Sequence, residues 1–190
     1  MAKKYEFKPD KPRSGFLNKL YLTQKQRRSI LKWSLYGLVL VVMSLLQDVV
    51  LCRMDIYGGT TELVPCIIFL VCVIEGVESG GVFALVASLG YLFSGSAAGY
   101  YSVAFITTLA VLVTAFRQGY LQRGFFAALF CVAAAMLVYE VLVFGITLFL
   151  GQVQLRNFTG FLMTAVLSLP AVPLTYPILM SIGGGDSWNE

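Results

Sequence analysis

The chain is a series of long apolar runs separated by short polar breaks. The runs cover residues 29–46, 63–74, 80–93, 100–116, 124–150 and 158–182. The breaks carry Gln47, Asp48, Arg53 and Asp55, then Glu75 and Glu78, then Ser94-Gly95-Ser96, then the stretch from Arg117 to Arg123, then Gly151 to Asn157. Apolar and polar residues do not alternate one by one within the runs, so they predict helices rather than half-exposed strands. About 20 residues at 1.5 Å each cross an apolar layer of about 30 Å, which makes most of these runs candidate membrane spans.

The second run is the short one. Only twelve uncharged residues separate Glu62 from Glu75, and Pro65 falls near the start. A proline in the first turn costs nothing, because that N–H has no partner in a helix anyway. Glu62 and Glu75 then mark the two ends, where they are expected to reach the headgroups, so the run is read as a crossing rather than a re-entrant loop. Beyond it, Gly76, Gly80, Ala84 and Ser88 recur every four residues. That spacing lines up four small side chains on one strip of a helix. In a membrane such a strip lets two backbones approach closely, and it is the expected helix-packing or partner interface. In the last run Pro170, Pro173 and Pro177 fall on one face and should bend or break the helix.

Composition strengthens the membrane reading. The 190 residues are 58% hydrophobic and only 13% charged, about half the charge of an ordinary soluble domain. Ten of the fourteen Lys and Arg residues precede position 33. The basic stretch is too long, and the apolar run after it too continuous, for a cleaved signal peptide. Residues 1–28 are therefore expected to be a basic cytosolic tail that touches anionic lipid. Phe16, Leu17, Leu20 and Tyr21 could share one face of a short interfacial helix within it. Residues 29–182 form the transmembrane domain, and residues 183–190 a flexible cytosolic tail. Six spans place both termini inside. Arg117 and Arg123 then also lie inside, leaving Arg53 and Arg156 outside, in keeping with the positive-inside rule. The expected fold class is an all-α membrane protein, a six-transmembrane-helix bundle in the inner (plasma) membrane.

Candidate chemistry is sparse. The four cysteines form no C-x-x-C pair and the chain has no histidine, so neither a structural zinc nor a disulfide framework is expected. No serine-nucleophile elbow, phosphate-binding loop or H-E-x-x-H is present. No catalytic residue, cofactor, metal or nucleic-acid partner is expected. Glu140, beside Tyr139, is the one carboxylate deep inside an apolar run. A charge there costs about 2.5–3.5 kcal/mol on insertion scales, which makes it a buried polar candidate. It could contact a partner helix, serve a proton or a substrate, or be satisfied by a tyrosine or serine within the bundle. Glu75, Glu78, Arg117 and Arg123 form the expected cytosolic-tip charges, and the glutamates are placed to pair with the arginines.

These residues together resemble the rod shape-determining protein MreD family of bacterial cell elongation. The resemblance lies in the basic stretch Arg27-Arg28-Ser-Ile-Leu-Lys32-Trp33 leading to a first helix that ends Leu45-Leu46-Gln47-Asp48. It lies also in Pro65 opening a short second helix, in the glycine-marked stretch closing on Ser94-Gly95-Ser96-Ala97-Ala98-Gly99, and in Leu169-Pro170 with a later Pro177. It covers roughly residues 27–182. The family often carries an aspartate about three residues before the S-G-S turn; Tyr91 stands there in this chain, which argues against an acid-dependent site at that point. The resemblance implies a non-enzymatic scaffold that contacts MreC. Through MreC it would engage the wall-synthesising glycosyltransferase and transpeptidase, with MreB on the cytosolic side and membrane lipid around it. It also implies a fold similar to the substrate-binding subunits of energy-coupling-factor vitamin transporters. A vitamin-binding subunit is the alternative function, although the first helix, from Trp33 to Val41, lacks the A-x-x-x-A docking pair typical of such subunits.

Overall fold

The computed structural model describes residues 24–53, 59–121 and 124–183. Most of the basic tail, the C-terminal segment beyond 183 and Arg123 lie outside the described residues. Among the described residues seven α-helices follow in order: α1 (Gln24–Val49), α2 (Leu63–Glu75), α3 (Val77–Phe93), α4 (Tyr100–Tyr120), α5 (Phe125–Phe149), α6 (Phe158–Ser168) and α7 (Ala171–Gly183). Helices α1, α4 and α5 are long and apolar enough to cross a membrane, and α6 with α7 would make a fourth span if the bent pair is counted as one.

Helix α2 is the axis of the bundle. Its residues from Leu63 to Val73 are all buried, and it packs against α1, α3, α4, α5 and α7. The sequence explains this position, since a helix that is apolar on every side has no face to offer water and is surrounded by others. Thirteen residues make a rod of about 20 Å, roughly 10 Å less than the apolar thickness of a bilayer. The two ends of α2 therefore cannot both reach the surfaces of such a layer, and its terminal polar groups are met by protein.

Neighbouring side chains cap both ends. At the start, the Gln47 side-chain carbonyl on α1 accepts hydrogen bonds from the Leu63 and Val64 N–H groups at 2.8 and 3.0 Å. These are two of the four donors that a helix start leaves unpaired. At the end, the Arg117 guanidinium on α4 donates to the Val73 carbonyl, and the Ser79 hydroxyl donates to the Glu75 carbonyl at 3.2 Å. A cation at a helix C-terminus also meets the negative end of the helix dipole.

One residue separates α2 from α3. Gly76 has φ +97°, and its missing Cβ would lie 2.7 Å from Gln118 Nε2. Only glycine takes that backbone conformation freely. The two helices then run back along each other in close contact. A Cβ on Gly80 would stand 2.7 Å from Cys72 Cα, and the Cys72 thiol donates to the Gly80 carbonyl at 3.0 Å. Ala84 and Ser88 continue the same strip and are fully buried.

The last apolar run is broken at Leu169-Pro170 into α6 and α7, with a bend of 40°. Pro170 supplies no N–H, and its ring crowds the carbonyl four residues earlier. Pro173 lies in the first turn of α7, and Pro177 lies inside it. The broken backbone rests on the start of α2, where the Cys66 thiol approaches the Ser168 carbonyl at 3.6 Å. The extended strip before α2 is pinned to α6: the Thr60 N–H donates to Thr164 Oγ1 at 3.2 Å and the Glu62 N–H to Ser168 Oγ at 2.9 Å. Two donors spaced by two along an extended chain thus meet two acceptors spaced by four along a helix. Gly59 makes this approach possible, since a Cβ there would lie 2.8 Å from the Gly160 carbonyl oxygen.

Candidate functional site

Polar groups gather at the two ends of α2. At the Glu75 end, Glu75 Oε2 is 2.7 Å from Lys32 Nζ, and its Oε1 accepts a hydrogen bond from the Tyr36 hydroxyl at 2.5 Å. The Tyr36 hydroxyl is also 3.4 Å from the Leu179 carbonyl, and Gly183 approaches both Tyr36 and Glu75. The cluster ties α1, α2 and α7 together. The expected pairing of Glu75 with Arg117 is not what forms. Arg117 turns to the Val73 carbonyl instead, its Nε buried without a partner. Glu78 is exposed one helical turn away.

The Gln47 end is the less satisfied of the two. Glu62 from the loop before α2, Tyr91 from α3, Ser102 from α4, and Tyr139 and Glu140 from α5 converge there. Tyr91 adjoins Glu62 and Gln47 and lies within electrostatic reach of Tyr139 and Glu140. Tyr139 lies within reach of Glu62 and Glu140 and beside Ser102. Glu140 is 2% exposed, Tyr139 1% and Ser102 fully enclosed. Four side-chain oxygens here are sealed from solvent without a hydrogen-bond partner: Glu62 Oε2, Ser102 Oγ, Tyr139 OH and Glu140 Oε1. Buried polar atoms are nearly always paired, so four together mark this region out from the rest of the core.

The cluster corrects two sequence expectations. Glu62 was expected at the membrane surface, and it is turned into the protein instead. Burial raises its carboxyl above the usual carboxylate range, and the neighbouring Tyr91 opposes that shift. The physical reason is the length of α2, which is too short to carry both flanking glutamates to headgroups. Tyr91 was expected to mark the absence of an acid, yet Glu62 supplies a carboxylate beside it from another element. Of the candidates read from the sequence, Glu140 belongs to this cluster. Gly80, Ala84 and Ser88 pack α3 into the bundle, whereas Gly76, expected on the same helical strip, forms the turn before α3 instead; Glu75 and Arg117 belong to the opposite end. Sequence reading missed Glu62, Ser102 and Gln47 as members of the site. The available signal was the twelve-residue run itself, because a helix that short buries whatever flanks it.

A third polar contact closes the Gln47 end. The Ser96 hydroxyl donates to Asp48 Oδ1 at 2.7 Å, and the Tyr91 hydroxyl donates to the Ser96 carbonyl at 3.2 Å. The S-G-S turn after α3 is thereby tied to the end of α1. No family model, curated protein or solved structure matches the chain.

Proposed function

We propose that the chain is a non-enzymatic integral membrane subunit of a bacterial cell-wall elongation complex, a scaffold of the MreD kind that holds MreC and, through it, the peptidoglycan synthases. The observation that carries the reading is the Ser96–Asp48 hydrogen bond. The Gln47-Asp48 end of the first helix and the Ser94-Gly95-Ser96 turn are two separate parts of the sequence resemblance, and they belong to one network around the start of α2. Six crossings, with both termini in the cytosol, complete the proposal. Supporting them, contacts at both ends of α2 set it antiparallel to α1, and a central helix shielded by protein need not present a full 20 residues to lipid.

Helix α1 offers the surface for a partner helix or lipid. Leu31, Leu38, Val41, Val42, Leu45 and Val49 are all more than half exposed. Depletion of the protein in its native rod-shaped cell tests the proposal: rounding and widening are the expected outcome, and rods of unchanged width would contradict it.

A further inference from the structure

Helix α1 begins at Gln24, ahead of its apolar run, so Arg27 and Arg28 are part of the helix. Both are exposed, and neither forms an ion pair among the described residues. Lys32, one turn further on, goes inward to Glu75 instead. Arg27, Leu31, Leu38, Val42, Leu45 and Val49 follow one another at steps of three, four or seven, which sets them on one stripe of the helix. The five apolar members are each more than half exposed. The other side of α1 carries Lys32, Tyr36 and Gln47, which hold it to α2. A basic head thus leads an apolar stripe that runs roughly 27 Å from Leu31 to Val49.

The rest of the surface indicates what covers that stripe. Tyr100 and Tyr120, at the two ends of α4, are 86% and 81% exposed. They stand about 30 Å apart along the helix, the apolar thickness of a bilayer. Exposed Phe93 and Phe149 close α3 and α5 at the Tyr100 end, and exposed Phe126 lies in the first turn of α5 at the Tyr120 end. Between those ends no charged residue of α1, α3, α4 or α5 is exposed. Aromatic rings at two levels with an apolar surface between them fit lipid, because such rings settle among the headgroups. A single partner helix would cover α1 without calling for rings on α4 and α5. Arg117 on α4 and Lys32 on α1 both meet the C-terminal end of α2, so Arg27 and Arg28 belong to the Tyr120 level.

We propose that this stripe of α1 binds anionic phospholipid, with phosphate on Arg27 and Arg28 and acyl chains along Leu31 and Leu38. A guanidinium matches a phosphate in geometry as well as in charge. Glu78 is the one exposed acid at this end among the described residues, and it lies on α3. Residues 1–26 add seven more Lys and Arg against Glu6 and Asp10, and each basic residue near an anionic surface adds to the attraction. Arg53 and Arg156, exposed at the other end, lack such a basic run and provide the control. The inference rests on the membrane part of the proposed function alone, and its test does not read MreC.

The test uses the full-length protein carrying Trp188→Phe, which leaves Trp33 on α1 as the single tryptophan. It is reconstituted in phosphatidylcholine vesicles with a rising share of phosphatidylglycerol brominated near the head of its acyl chains. Brominated phosphatidylcholine is the comparison. Trp33 emission should be quenched at a mole fraction of brominated phosphatidylglycerol roughly thirtyfold below that of brominated phosphatidylcholine, the factor expected of two basic residues. High salt should narrow the gap. The double variant R27Q/R28Q should bring the two lipids level, and R53Q/R156Q should keep them apart. The lipid and salt comparisons use native arginines, so they decide the matter even if a variant fails to fold. Equal quenching by both lipids, a gap that salt or R27Q/R28Q leaves unmoved, or a gap lost in R53Q/R156Q would each overturn the proposal. So would a Trp33 that neither lipid quenches, the result expected if a partner helix or a second copy covers α1.

Discussion

The Gln47 side chain on α1 caps the Leu63 N–H of α2 at 2.8 Å, and it caps the Val64 N–H as well. One carbonyl from a neighbouring helix thus does what an N-cap side chain normally does within the helix itself; Glu62, which occupies the cap position, makes no such bond. Gln47→Leu keeps the bulk and removes the acceptor. It leaves two N–H groups unpaired in the core, at a cost of about 1–3 kcal/mol. The expected outcome is a Tm in detergent several degrees below wild type, read by scanning fluorimetry. An unchanged Tm would show that the α2 start finds another acceptor.

Gly80 meets backbone, not a flexible side-chain tip. Its absent Cβ would lie 2.7 Å from Cys72 Cα, so even Gly80→Ala forces α2 and α3 apart. Overpacking of this kind costs about 1–3 kcal/mol. Gly80→Leu should prevent assembly of the bundle. Gly90→Ala, in the same helix with open space around it, is the control and should match the wild type or slightly exceed it. Size-exclusion profiles and Tm values of the three variants decide the matter; a folded, monodisperse Gly80→Leu protein would contradict the packing described.

Glu75 loses its counter-charge in Lys32→Met. The Glu75 side chain is 7% exposed and that of Lys32 17%, so the pair is shielded enough for its loss to be felt. Breaking a buried pair costs up to about 3–5 kcal/mol, and the Tyr36 hydrogen bond should hold the loss below that ceiling. Glu75→Gln in the Lys32→Met background should recover part of the lost Tm. No recovery would mean that the effect of Lys32→Met lies in packing and not in charge.

Glu62 gives a pH dependence with a definite sign. Its carboxyl is raised from the ordinary 4.5 by burial, so the folded state holds the proton more tightly than the unfolded one. The folded protein is favoured at low pH, and that advantage is lost as pH rises above the ordinary value. Glu62→Gln should therefore raise Tm at pH 8 and leave it unchanged at pH 4. An equal effect at both values would assign the change to shape instead of charge.

Much of the bundle was legible in the apolar runs, because runs of 18 or more residues leave few options. The Pro170 break and the close approach at Gly80 were legible too, since proline removes a donor and small residues at a spacing of four mark a packing strip, although Gly76 proved to be the turn before that strip and not part of it. The polar cluster was legible only at Glu140. Gln47, Ser102 and Glu62 come from three separate parts of the chain, and nothing local to any of them says that they meet. Glu62 was misplaced because the length of α2 was read without its consequence. Once α2 is central and about 20 Å long, its flanking acid has to be inside. The pairing of Glu75 was misread for a related reason: Lys32 approaches through the packing of α1 on α2, which spacing along the chain cannot show.

The most direct test of the scaffold proposal is co-purification of the tagged full-length protein from its native membranes after mild detergent extraction, with the recovered proteins identified by mass. The proposal expects MreC in near-stoichiometric amount, with the wall synthases in lesser amounts. Recovery of a transporter ATPase module or a stoichiometric bound vitamin, without MreC, would contradict it.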